Sequence, residues 1–94
     1  MDQLEKNELL LTHVVLMFQT AALQQMGKLK NPITDKIERN LEQAQISIDI
    51  LDILHKKMKG NLTDNEERMF VEVLKDIRLN YVDEVSKAQN EKTQ

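Results

Sequence analysis

Apolar residues in the middle of the chain recur at alternating steps of three and four, the spacing of one face of an α-helix. This first stripe comprises Ile37, Leu41, Ala44, Ile48, Leu51, His55 and Met58. A second stripe on the opposite side of the same helix comprises Ile46, Ile50 and Ile53. A helix with two apolar faces has to be covered twice. We therefore expect this second helix of the chain, over about residues 41 to 59, to lie between two other helices, or between one helix and a second subunit.

A short polar connection ends this helix and starts the next. Gly60 follows the last apolar position, and glycine readily adopts the left-handed backbone that commonly ends a helix. Thr63 and Glu66 then have the spacing of a capping box, in which each side chain accepts a hydrogen bond from the other residue's backbone amide. Because so short a connection makes neighbouring helices antiparallel, the second and third helices are predicted to form a hairpin.

The third helix is predicted over about residues 64 to 87. Its inward face comprises Phe70, Val73, Leu74, Ile77, Tyr81 and Val85. The composition turns polar after Ser86, so we expect residues 89–94 to form a frayed tail. A single domain would then occupy residues 1–88.

The first helix, predicted over about residues 3 to 26, is apolar almost all round. Two neighbouring stripes carry most of this surface: Leu10, Val14, Met17 and Ala21 in one, and Leu11, Val15, Phe18 and Ala22 in the other. Two helices of the same short chain do not easily cover so much surface, and an exposed apolar patch usually marks an interface. We predict that all eight residues form the interface of a two-fold homodimer.

The connection between the first two helices, residues 27–40, is the one extended irregular segment. Gly27 can end the first helix, and Pro32 disfavours helical geometry in the residue before it. The second helix has two candidate N-caps, each followed three positions later by an acidic or amide partner: Asp35 with Glu38, and Asn40 with Gln43. We favour the second start, with Ile33 and Ile37 packing onto the helices from the connection.

Several of these positions also match a known pattern. They are Gly27, Asn31-Pro32, Asn40-Leu41, Ala44, Ile48-Asp49-Ile50-Leu51, Lys57, Lys59-Gly60-Asn61-Leu62-Thr63, Glu66, Leu74, Arg78 and Tyr81-Val82. The chain in this respect resembles a small uncharacterised bacterial family, the domain of unknown function 1844, and departs from it at Met58, where the family pattern has threonine. The resemblance implies a bacterial helical domain without an assigned activity.

Composition agrees with one all-α domain. The 94 residues are 40% hydrophobic and 31% charged, a balance typical of a folded globular chain, and two glycines and one proline leave little material for turns. We expect three main helices: the antiparallel hairpin of the second and third, plus the long apolar first helix, in a dimeric helical bundle.

Charge and composition also exclude several function classes. A net charge of −3 argues against a nucleic-acid domain, which needs a basic stripe. The absence of cysteine excludes disulfides and thiolate chemistry. The densest apolar run, residues 9–18, falls short of the approximately 20 residues of a membrane span. No basic amino-terminal segment precedes a cleavable apolar one, so we expect no signal peptide and a cytoplasmic location.

Few polar residues suggest chemistry. Asp49 and Asp52 lie three apart on the second helix, and paired carboxylates can act as acid and base or hold a metal. We favour a structural role, an ion pair between Asp49 and Arg78 across the helical hairpin. His13 and His55 have neither a cysteine nor a third histidine to complete a zinc site. We therefore expect no catalytic residue, metal or cofactor.

Three functions remain from different classes. The first is a non-enzymatic interaction module, an adaptor or scaffold that acts as a homodimer and can also bind another protein. The second is a regulator that binds a small ligand in an interhelical pocket, with methionines as adaptable walls: Met17, Met26, Met58 and Met69. The third, an enzyme, lacks a nucleophile–base pair, a phosphate loop and a metal motif. The first is our prediction.

Overall fold

The computed structural model describes residues 1–93. It contains three helices, α1 (Gln3–Gln25), α2 (Leu41–Lys57) and α3 (Asp64–Thr93), and no strand among these residues. Each helix contacts the other two. His55 meets Glu67 close to the α2–α3 connection, whereas Asp52 meets Arg78 further from it, so α2 and α3 run antiparallel as predicted.

One stripe from each helix forms a single core. Its buried members are Val15, Ala22 and Met26 of α1, Ala44, Ile48 and Leu51 of α2, and Phe70, Val73, Leu74 and Ile77 of α3. The core therefore uses the predicted inward faces of α2 and α3 but only one of the two stripes of α1. Removing these side chains from water stabilises the fold by roughly 1.5–3 kcal/mol for each large one.

Local capping chemistry sets most helix ends. Gly27 adopts φ +89° after α1, and the amides of Gly27 and Lys28 donate to carbonyl oxygens in the last turn, at 3.1 and 2.8 Å. Asn40 is the N-cap of α2, because its Oδ1 accepts from the Gln43 amide at 3.0 Å. This hydrogen bond resolves the choice of α2 start in favour of Asn40.

The capping box at the start of α3 is confirmed. The Thr63 amide donates to Glu66 Oε1 at 2.8 Å, and the Glu66 amide donates to Thr63 Oγ1 at 3.1 Å. Gly60 has the expected left-handed backbone at φ +90°, but α2 ends at Lys57 rather than near residue 59. The chain leaves the helix before Gly60, because the Lys59 amide donates to the carbonyl of Lys56, three residues back, instead of the carbonyl four residues back that an α-helix would use.

The connection differs from expectation in its packing. Ile33 and Ile37 do not pack onto the helices, since they are 92% and 57% exposed. Residues 31–36 instead close on themselves: the Asn31 amide donates to the Lys36 carbonyl at 2.9 Å, and the Asp35 amide to the Asn31 carbonyl at 2.7 Å. These hydrogen bonds satisfy the backbone locally, so the apolar side chains are left outside.

Helix α3 is longer than predicted and reaches Thr93, so residues 89–93 are helical where a frayed tail was expected. The last turns have a long-range partner, because Arg39 Nη1 donates to Glu91 Oε2 at 2.8 Å. The remaining tail residue, Gln94, lies outside the described residues.

Candidate protein-interaction surface

The prediction of an ion pair between Asp49 and Arg78 is wrong, because Arg78 pairs with Asp52, about one helical turn further along α2. Arg78 Nη2 donates to Asp52 Oδ1 at 2.8 Å, and Lys56 Nζ lies 2.9 Å from Asp52 Oδ2. Hydrogen bonds from Lys56 and Arg78 hold the pKa of Asp52 below its ordinary value. Asp49 is exposed and accepts from Gln45 within α2, at 2.8 Å. The prediction failed because of the rotation of α2 about its own axis. Asp52 faces α3, and Asp49 lies about 60° around the helix from Asp52, on the side turned away from α3.

The histidines do not converge. His55 Nε2 lies 2.8 Å from Glu67 Oε1, and its ring stacks on Phe70 with the ring centroids 5.2 Å apart. His13 is exposed on α1. In residues 1–93, no group of three or more histidine, aspartate or glutamate side chains is placed to hold a metal ion.

A buried carboxylate that the sequence did not point to joins the connection to α3. Glu84 is only 3% exposed, and its carboxylate contacts three cations: Lys28 at 3.0 Å, Arg39 at 3.0 Å and Lys87 at 3.1 Å. Burial raises the pKa of Glu84, but hydrogen bonds from Lys28, Lys87 and Arg39 outweigh it and leave that pKa below its ordinary value. The spacing of the chain gives no signal for this cluster, because two of its cations come from the irregular connection.

The eight predicted interface residues divide into two sets. Val15 and Ala22 are fully buried in the chain's own core, and Leu11 and Phe18 pack against it. Val15 and Ala22 are therefore not available to a second subunit, whereas Leu11 and Phe18 are partly exposed, and Phe18 lines a surface depression with Met17 and Ala21. The other four form an exposed or partly exposed stripe, hereafter the α1 stripe: Leu10, Val14, Met17 and Ala21.

The α1 stripe lies on the side of its helix opposite to α3. Thr63 Oγ1 donates to Glu8 at 2.8 Å and Gln19 Nε2 donates to Asp76 at 3.1 Å, so Glu8 and Gln19 mark the side of α1 that faces α3. With 3.6 residues per turn, the centre of the stripe is about 160° around the helix from these two positions. Leu10 and Met17 are 58% and 60% exposed there.

Two isoleucines of α2 extend this surface. Asp52 and His55 mark the side of α2 that contacts α3. Ile46 and Ile53, both about half exposed, lie roughly 140° around the helix from them. Both stripes therefore point away from α3. We call the α1 stripe together with Ile46 and Ile53 the outer face.

The remaining exposed apolar residues include a smaller group on α3. Val71, Leu79 and Val82 of α3 are exposed, and we call them the α3 face. Lys75 and Arg78 lie among them, so charges interrupt this apolar surface. The outer face has no charged residue within the α1 stripe.

Depressions in the surface are open rather than enclosed. One of about 390 Å³ lies on α1 and is lined by residues of that helix alone, including His13, Met17 and Thr20. Another of about 390 Å³, between α2 and α3, includes the paired groups Asp52 and Arg78 in its lining. None of the described helices combines the length and apolar character of a membrane span.

Comparison with known proteins places the chain in a family. The family model described as domain of unknown function (DUF1844) matches residues 8–83 of the chain. That range contains most of α1, the whole of α2 and the first two thirds of α3. No curated protein and no solved structure matches the chain.

Proposed function

The chain belongs to the DUF1844 family, and we propose that it is a non-enzymatic protein-interaction module that acts as a homodimer, serving as an adaptor or scaffold. The observation that carries this proposal is the outer face, where apolar side chains of two packed helices stay exposed on the sides turned away from α3. Contiguous exposed apolar surface of this kind is typical of interfaces. A bacterial origin and a cytoplasmic location stay predictions.

The surface formed by α1 and α2 is large enough to form an interface with a second protein. A helix of 23 residues such as α1 is about 35 Å long, and two packed helices are about 20 Å wide, which gives roughly 700 Å². Stable complexes bury about 800 Å² on each partner. Along α1, the stripe lies in the middle of the helix with Asn7 and Gln24 beyond its ends, and an apolar centre with a polar rim is the usual arrangement of an interface.

A second copy is the partner that the sequence predicted, and it also leaves the α3 face free. Val71, Leu79 and Val82 are exposed on α3 and are not part of the outer face, so a homodimer could present two such surfaces to another protein. This is the arrangement we propose for the adaptor role.

The alternative function, a ligand-binding regulator with an interhelical pocket, has weaker support. Met26 is fully buried, and Met58 and Met69 pack against the core, so these side chains fill the space between the helices. Met17 lies on the outer face instead. A ligand would thus have to bind at the surface or displace core side chains.

The homodimer is tested by a matched pair of charge substitutions. Met17 on the outer face and Leu79 on the α3 face are 60% and 63% exposed, so a glutamate at either position disturbs the folded chain to a similar extent. We expect the wild type and Leu79→Glu to have a solution mass near twice 11.0 kDa, and Met17→Glu to have a mass near 11.0 kDa. Light scattering measures these masses, and circular dichroism checks that both variants are folded. A dimeric Met17→Glu protein beside a monomeric Leu79→Glu protein would contradict the proposal.

A further inference from the structure

The pattern within the α1 stripe defines how the two copies would meet. Resting on the homodimer proposed above, we propose that the two α1 helices pack antiparallel, about a two-fold axis at the level of Val15 and Leu16. This arrangement places Leu10 of each copy opposite Ala21 of the other, and Val14 opposite Met17. It makes α1 the centre of the interface, with α2 of each copy beside it.

The spacing of the stripe suits packing between helices. Leu10, Val14, Met17 and Ala21 are separated by steps of four, three and four, which is the seam of a coiled coil. The next positions of the same seam are Asn7 and Gln24, so polar residues close both of its ends. The apolar seam is therefore short and symmetric about its middle.

Side-chain size favours the antiparallel direction. With the helices antiparallel, each layer combines a larger and a smaller side chain, Leu10 with Ala21 and Met17 with Val14. With the helices parallel, Leu10 would face its own copy at one end and Ala21 its own copy at the other. The alanine layer would then leave a gap, and protein interiors and interface cores are packed with few gaps.

Charge at the ends of α1 favours the same direction. The first eight residues are acidic overall, with Asp2, Glu5 and Glu8 against Lys6, whereas Lys28 and Lys30 follow the carboxyl end. The Lys30 side chain is largely exposed and its contact with Asp35 is long, at 3.9 Å. Antiparallel helices bring Lys30 of one copy to the level of Asp2 of the other, while parallel helices place like charges together. Such rim charges set the direction of pairing more than its strength.

The two isoleucines of the outer face fit beside this seam. Ile46 and Ile53 are exposed on α2, which contacts α1 at Ser47 and Gln25. The two-fold rotation places α2 of the second copy on the same side of the seam, so both pairs of isoleucines are covered together. On the other side of the seam, Lys6, His13 and Thr20 form a polar border.

The direction can be read from disulfide formation, because the chain contains no cysteine of its own. Leu10→Cys and Ala21→Cys are prepared separately, mixed under reducing conditions so that subunits exchange, and then oxidised gently. A disulfide requires Cα atoms about 4.4–6.8 Å apart. We expect at least tenfold more mixed Leu10→Cys/Ala21→Cys dimer than either self-linked dimer. Leu79→Cys, on the α3 face, is the control and should not link to itself above the background of random collision.

The other outcomes separate this inference from the proposed function. Self-linked dimers of each variant alone would mean parallel helices, and would overturn the inference while leaving the homodimer intact. If no disulfide formed but the mass stayed near twice 11.0 kDa, the interface would lie elsewhere. That result would also overturn the antiparallel arrangement and leave the homodimer intact. A wild-type mass near 11.0 kDa would overturn both. The second pair, Val14→Cys with Met17→Cys, repeats the test at the centre of the seam in case a substitution near its ends perturbs folding.

Discussion

Glu84 and Asp52 show how a carboxylate's surroundings decide its structural role. The side chain of Glu84 is almost entirely buried and contacts three cations, so its charge is removed from water and compensated within the protein. Asp52 is partly exposed, and its pairs with Lys56 and Arg78 compete with solvent. Replacing Glu84 should therefore lower the free energy of unfolding more than replacing Asp52.

Glu84→Gln is predicted to lower the free energy of unfolding by about 1–3 kcal/mol, because Lys28 and Arg39 would then face a neutral amide. Urea denaturation followed by circular dichroism measures the change. Asp83→Asn is the matched control, since Asp83 also binds Lys28 but is half exposed, and it should cost clearly less. Equal losses in the two variants would mean that the burial of Glu84 does not matter.

The same carboxylates predict a dependence on pH. The pKa values of Glu84, Asp52 and Asp83 are all lowered in the folded chain. Their contribution to stability is therefore complete above their unfolded pKa values, about 4, and is lost as the pH falls through the lower folded values. We expect the free energy of unfolding to fall between pH 5 and pH 3, and to fall less in Glu84→Gln. Urea titrations at the two pH values make the comparison, and an identical fall in both proteins would contradict it.

At the scale of the helices, the sequence predicted those helix ends that are fixed by residues close to them in the chain. Asn40 and the Thr63–Glu66 box are local hydrogen-bonding patterns, and the structure has both. The far end of α3 could not be predicted, because its partner Arg39 is 52 positions away in the chain. For the same reason, choosing Asp52 instead of Asp49 as the partner of Arg78 would have required the rotation of α2 against α3, which no local pattern gives.

Thr63 joins two elements and gives a prediction at this scale. Its hydroxyl accepts from the Glu66 amide at 3.1 Å and donates to Glu8 of α1 at 2.8 Å. Thr63→Ala should lower the free energy of unfolding by about 1–2 kcal/mol, the usual cost of losing an N-cap. Thr63→Ser keeps the hydroxyl and should lose less than half as much in the same urea titration. If the serine variant were as unstable as the alanine variant, the hydroxyl would not be the stabilising group.

At the scale of the molecule, the sequence predicted that α1 has more apolar surface than its own chain covers. It did not reveal which stripe the chain covers, because the two stripes are adjacent and equally apolar. The choice depends on contacts distant in sequence, such as Gln19 with Asp76, that fix the rotation of α1. Of the eight predicted interface residues, Val15 and Ala22 consequently belong to the core, Leu11 and Phe18 pack against it, and the other four form the α1 stripe.

The outer face leads to one expectation about the whole molecule, namely that the chain self-associates. Light scattering of the unaltered protein over a hundredfold dilution tests this most directly. We predict a mass near twice 11.0 kDa that persists at high concentration and declines, if at all, only at the lowest concentrations. A mass of 11.0 kDa throughout would contradict self-association, and the exposed side chains of the outer face would then have to be explained by a different partner.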